Sequence, residues 1–503
     1  MITPFLPAQP SFLEPRTGVK GWFAPTDPKR VALLYLAAML SWFAVAAGLG
    51  LAHLAGIRQP VPAQHVKTLS SLPWTLILPF LLPGLPAVFG NFLLPLLIGA
   101  RGVALPRLNL ASWYSYLAGS VLALAALGAG GGVPGPGWAG FGPLGLSATL
   151  ARLGILALGC STLLTGINVL CTIHRLRAPG MTFLRMPLFV WGLYATAWVQ
   201  ILATPMVALS VGLVFLDRPW GGGLLDPALG GGPLRFQHLF RLHAQTAVYL
   251  LILPAMGAVT EILPTFTQRA VAGYRAIALS MLAIAGLGSL VWAHPLFTSG
   301  LADLTHALLP LVPMLAAIPG AVLVFSWLAT LGRGSLRMAP PVPFALSFIL
   351  LLCMGGLSGA AQGALGALGR PGSLPSWVAA SCRFGCGGAA LCGFLAALLY
   401  WFPKMFGRLY RHAGVYAAWV PIMAGLLLLC GARWVGLGLL ALGLLMLAGT
   451  LAGALFRGRR AGHNPWGGVT MEWTVPSPPP AANFRALPTV TTGPYPFPEE
   501  GVS

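Results

Sequence analysis

The chain has 503 residues, of which 57% are hydrophobic and only 8% are charged. Soluble globular domains carry roughly a quarter charged residues, so that class is excluded. The net charge of +20 would suit a nucleic-acid partner, but the basic residues sit in short groups between long apolar runs. That is a topology pattern, and no nucleic-acid surface is expected.

Residues 1–30 are polar and proline-containing and do not read as a cleavable signal. A membrane domain is expected over 31–456, with spans at about 31–56, 72–99, 110–128, 148–173, 186–216 and 238–263. The remaining spans are expected at about 276–297, 305–331, 342–366, 376–402, 415–430 and 435–456. Most are long enough to cross a bilayer as helices, and the short alternating segments of a spanning barrel are missing. The second span carries Pro73, Pro79, Pro83 and Pro86, which remove backbone donors and kink a helix. A glycine-rich loop separates the third and fourth spans, and a Gly/Pro loop precedes the sixth. A polar, proline-rich tail fills 457–503.

Twelve spans put both termini on one side. The loops on that side hold Arg101, Arg107, Arg175, Arg177, Arg185, Arg269, Arg275 and further arginines up to Arg460. The opposite loops hold fewer basic residues, among them Arg58, Lys67, Arg152 and Arg218. Both ends, the 1–30 segment and the 457–503 tail, are therefore expected in the cytoplasm, in a bacterial cytoplasmic membrane. The seven cysteines fall within apolar segments, which argues against a secreted disulfide framework. Cys382 and Cys386 share a helix face, either as small packing residues or as a thiolate metal site.

Several stretches resemble subunit I of the haem-copper terminal oxidases of the cytochrome c or quinol type. They are FGNFLLPLLIGARGVALPRLN, LRAPGMTFLRMPLFVW, DPALGGGPLRFQHLF, VYLLILPAMG, the run from ILPTFTQRAVAGYR to GSLVWAH, AIPGAVLVFSWLATL, YWFPKMFGRLY and the tail NPWGGVTMEWTVPSPPPAANF. The resemblance covers roughly 29–490 and implies an all-α polytopic bundle of twelve transmembrane helices. It also implies haem and copper held by histidines, docking of subunits II and III, and oxygen reduction coupled to proton pumping.

Residue by residue, that chemistry does not carry over. Registered on FGN, Leu72 stands where the family has a low-spin haem ligand. Registered on YWFPK, Ser381 and Arg383 stand in SCRFGCGG where the family's HFHYVLSMG has two haem ligands. In AQTAVY, Gln245 replaces a copper histidine, while Tyr249 keeps the tyrosine crosslinked to it in the family. The paired copper histidines of the seventh span become His294 and Pro295. Imidazole suits iron and copper as a neutral nitrogen ligand. Leucine and proline offer no side-chain ligand, and a guanidinium only donates. The family's proton-path residues become Gly102, Ala247 and Leu323. Among the 9 acidic residues only Glu261 falls within a span.

Arg241 and Arg383 are left as unusual intramembrane charges, which either snorkel outward or fill part of a vacated pocket. Three functions follow. One is a structural or assembly subunit without haem and copper, beside subunit II/III-like chains or a true oxidase subunit I. Another is an active proton-pumping oxidase that keeps haem and copper through unconventional ligands. The third is a transporter or channel on the same scaffold.

Overall fold

The structure is a computed structural model that describes residues 11–14, 20–56, 83–129, 146–217, 233–297, 311–332, 334–368 and 375–497. Twelve long helices run through the described residues. They are α1 (Pro28–Gly56), α2 (Pro83–Leu97), α3 (Pro106–Gly128), α4 (Leu146–Arg175), α5 (Leu188–Asp217) and α6 (Pro233–Thr267). Then come α7 (Tyr274–Phe297), α8 (Leu311–Gly332), α9 (Pro341–Ala367), α10 (Ser376–Phe406), α11 (His412–Leu428) and α12 (Arg433–Arg457). Among the described residues, 7 helices are apolar and long enough to cross a membrane on their own. An all-helical form follows from the composition, since helices satisfy their backbone groups internally where water is excluded. The part of the expected second span before Pro83 lies outside the described residues.

Consecutive helices pack as antiparallel neighbours: α3 on α4, α5 on α6, α9 on α10, α11 on α12. The exception is α6, which touches α5, α7, α8, α9 and α10 and so forms the centre of its half of the bundle. Its segment Val248–Thr267 is 89% buried, against 22% for Trp434–Arg457 and 17% for Met314–Gly332. The first is a core helix, and the other two turn most of their apolar surface outward. Small residues let α6 approach its neighbours. A Cβ on Gly192 of α5 would stand 2.8 Å from the Leu253 carbonyl, and one on Gly393 of α10 would stand 2.7 Å from the Ala255 Cβ. Helices in lipid associate through close contacts of this kind.

Two helices run a turn beyond their expected ends. The sixth span was expected to stop at Leu263 and the tenth at Phe402, each just before a proline, yet α6 and α10 continue to Thr267 and Phe406. A proline strips a hydrogen bond from the carbonyl four residues back. For Pro403 that carbonyl belongs to Leu399, and the Tyr410 hydroxyl donates to it at 2.8 Å. The helix then ends at Gly407, whose φ of +66° is the left-handed conformation that closes a helix.

The links 98–105, 176–187, 268–273, 334–340 and 407–411 gather at the end of the bundle that carries Lys29 and the C-terminal residues. After α12 the chain does not hang free. It pairs Arg459–Arg460 (β2) with Arg408–Leu409 (β1) and then crosses this end as an extended strap. Lys29 is fully buried beneath it, donating from Nζ to Asn483 Oδ1 at 2.7 Å and the Ala481 carbonyl at 3.0 Å, and pairing with Asp27 at 3.0 Å. The Asn483 amide donates to the Ala100 carbonyl at 3.0 Å, Arg101 to the Arg485 carbonyl at 3.2 Å, and the Val490 N–H to the Pro179 carbonyl at 2.9 Å. Lys404, buried at the foot of α10, donates to the Val475 carbonyl at 2.7 Å.

Candidate functional site

The described positions singled out by residue type come from α6, α7, α8, α10 and the α2–α3 link. Leu72 lies outside the described residues, as do the side chains of Arg241, Gln245, Ala247, His294, Pro295 and Arg383, although all but Leu72 have helical backbone. Tyr249 is half-buried on α6, and its ring lies over Gly288 of α7, where a Cβ would come within 2.7 Å. A glycine is needed there to seat the ring. The same phenol neighbours the thiols of Cys382 and Cys386 on α10. Tyr249 thus stands where α6, α7 and α10 converge, the meeting of elements that the resemblance requires.

Ser381 is 5% exposed, and its hydroxyl donates to the Trp377 carbonyl of its own helix at 2.8 Å. That is an intrahelical bond, and the same hydroxyl lies 3.6 Å from Cys430 Sγ. Below it α10 is pared to small residues, and there it meets α9 backbone to backbone. A Cβ on Gly385 would lie 2.8 Å from Gly355 N, and one on Gly355 would lie 2.8 Å from both the backbone N and the Sγ of Cys386. Cys382 Sγ rests 3.3 Å from the Cβ position of Gly359. The two cysteines therefore pack into the Gly355/Gly359 face of α9, in line with the packing reading. All seven cysteines are free, and no group of three or more His, Cys, Asp or Glu side chains gathers among the described residues.

Of the proton-path positions, Leu323 is fully buried in the apolar core on α8, where it can neither hold nor pass a proton. Nearby, the Trp327 indole donates to Thr260 Oγ1 at 2.8 Å. Gly102 sits in the α2–α3 link with open space around it.

A second polar centre was not anticipated from residue types beyond Glu261. Glu261 is 1% exposed at the foot of α6, and its Oε2 accepts from the Tyr495 hydroxyl at 2.9 Å and the Phe189 N–H at 3.4 Å. Tyr495 in turn accepts from the Leu188 N–H at 2.9 Å. Beside it, Glu472 of the strap is fully buried, with Oε1 accepting from Thr470 Oγ1 at 2.8 Å and Trp401 Nε1 at 3.3 Å. Its Oε2 has no partner among the described residues. Burial pushes the Glu472 carboxyl above its ordinary value, against the pull of its hydrogen bonds and of Lys404. The two carboxyls also repel each other. Through Tyr495 and Trp401 they join the strap to α6 and α10, and Glu472 and Tyr495 lie more than two hundred residues from Glu261 in sequence, which is why spacing alone did not disclose the pair.

This architecture has known relatives. The sequence profile described as "Cytochrome C and Quinol oxidase polypeptide I" matches residues 30–466. The chain belongs to that oxidase subunit I family. It is similar to the cytochrome c oxidase subunit 1 of Thermostichus vulcanus, with 35% identity over 81% of this chain and 79% of the relative. It is also similar to the probable cytochrome c oxidase subunit 1-beta of Nocardia farcinica, with 32% identity over 97% and 90%. The Bacillus subtilis cytochrome c oxidase subunit 1 is 31% identical over 93% of this chain and 81% of that one. The chain is therefore an integral membrane protein of the oxidase subunit I type.

The residues do not fit the metals that the family implies. The donor set at the positions registered on the family's motifs is Leu72, Gln245, His294, Pro295, Ser381 and Arg383. One imidazole among them cannot ligate two haem irons and a copper. The one hydroxyl of the set donates to the Trp377 carbonyl of its own helix.

Proposed function

We propose that this chain is an oxidase subunit I-like protein that works without haem and copper, as a structural or assembly subunit of a respiratory or other membrane redox complex. The donor set carries the reading: only His294 keeps a metal-binding side chain at a family ligand position, and Tyr249 keeps its place without the copper histidine beside it. The intrahelical bond of Ser381 and the buried Leu323 support it. The bundle, the links at the strap end and the strap itself are kept, as a docking scaffold requires. The relatives are named as one subunit of an oxidase, and the partners proposed here are subunit II/III-like chains or a true oxidase subunit I. The proposed setting is a bacterial cytoplasmic membrane with both termini cytoplasmic, supported by the arginines of the links at the strap end.

The test is to purify the tagged full chain from its own membranes under mild detergent. Stoichiometric co-purification of further membrane subunits is expected. Oxygen uptake with a reduced donor should be unchanged by His294→Ala. A chain that purifies alone, or an oxygen uptake abolished by His294→Ala, would overturn the proposal.

A further inference from the structure

The link between α10 and α11 meets the residues after α12 in a short antiparallel ladder, with Arg408 opposite Arg460 and Leu409 opposite Arg459. The Ala461 N–H extends it to the Gly407 carbonyl at 2.9 Å. Residues directly opposite in a ladder place their side chains on one face, and like charges so placed repel. Arg408 is half-buried and donates to the Gly458 carbonyl at 2.9 Å, while Arg460 is exposed. Arg411, just before α11, and Arg457, closing α12, flank the ladder and are exposed as well. Among the described residues the one ion pair is Lys29–Asp27, so no carboxylate answers this cluster. Lys404 does not join it, being turned inward to the carbonyls of Val475 and His463.

The ladder stands against an apolar wall. Phe456, next to Arg457, is 82% exposed, and Leu442, Leu445 and Leu455 of α12 are exposed with it. In a chain that spans a membrane, such a face meets acyl chains. The geometry points to a binding site for an anionic phospholipid at this corner: the headgroup phosphate bridges Arg408 and Arg460 between Arg411 and Arg457, and the acyl chains lie along α12. Guanidinium groups hold phosphate oxygens through charge-assisted, often bidentate hydrogen bonds. A phosphate between two facing arginines turns their repulsion into attraction. A diffuse basic excess at the membrane surface does not need two arginines fixed face to face beside an exposed aromatic.

The test uses the purified, delipidated full chain in non-ionic detergent, titrated with phosphatidylglycerol or phosphatidylcholine and read by native mass spectrometry. Retention of phosphatidylglycerol over phosphatidylcholine is expected. Arg457→Gln and Arg460→Gln should each weaken it roughly fivefold, equivalent to about 1 kcal/mol per arginine, with the thermal midpoint unchanged. Arg107→Gln and Arg175→Gln, exposed arginines of other helices, should leave retention unchanged. Equal retention of both lipids, an equal loss in the control variants, or displacement of the lipid by millimolar glycerol 3-phosphate would each overturn the site.

Discussion

Substituting alanine at Gly385 and at Gly387, two residues apart on α10, should move stability in opposite directions. A Cβ on Gly385 would lie 2.8 Å from Gly355 N, 2.9 Å from Gly355 Cα and 3.0 Å from the Leu351 carbonyl. All three are backbone atoms of α9, so no side chain can swing aside. To restore an ordinary 3.4 Å contact the helices must part by about 0.6 Å. Overpacking of this kind costs about 1–3 kcal/mol, and the better helix propensity of alanine returns at most about 1 kcal/mol. Gly385→Ala should therefore destabilise by about 1–2 kcal/mol, and Gly355→Ala, which meets the Cys386 backbone, by a similar amount. Gly387 and Gly356 have nothing within 4 Å of their Cβ positions, so alanine there should be neutral or stabilise by up to about 1 kcal/mol. Reversible unfolding of the purified chain in mixed micelles, titrated with a denaturing detergent, reads the difference. If Gly385→Ala is as stable as Gly387→Ala, α9 and α10 do not meet backbone to backbone and the close packing described for α10 is wrong.

The strap gives further expectations. Lys29→Met leaves the Asn483 and Ala481 acceptors buried without a donor and should cost about 2–4 kcal/mol, seen as faster proteolysis of residues after Gly458. A double-mutant cycle with Asn483→Ala should show coupling of about 1 kcal/mol or more. Tyr495→Phe removes the donor to Glu261 and the acceptor for Leu188 N–H and should cost about 1–3 kcal/mol. The Glu472 carboxyl is held above its ordinary value by burial. As pH rises past the ordinary glutamate value, the unfolded chain therefore releases a proton that the folded chain keeps. Strap stability should fall with rising pH until the folded group itself ionises. Hydrogen exchange of residues 470–475 at about pH 5 and about pH 8 should show faster exchange at the higher value beyond the intrinsic pH effect. Glu472→Gln should flatten that excess.

The apolar runs made the helices legible, because in a membrane a long apolar segment has few alternatives to spanning as a helix. The central packing of α6 emerged only with the structure, where it touches α5, α7, α8, α9 and α10. Helix ends were less legible where proline intervened: Pro403 reads as a stop, and only the folded-back Tyr410 hydroxyl shows why α10 passes it. At the positions registered on the family's motifs residue type alone carries the reading, since no fold gives leucine or proline a side-chain lone pair. The docking of the strap was not legible. Asn483, Glu472 and Tyr495 stand in a segment with no periodicity, and their partners Lys29, Trp401 and Glu261 become neighbours only once the helix ends are assembled.

The most direct test of the account is a reduced-minus-oxidised difference spectrum of the purified chain, taken with iron and copper per mole of protein. No haem bands and only trace, sub-stoichiometric metal are expected. Haem bands with close to stoichiometric iron and copper would contradict the account and require ligands outside the family positions.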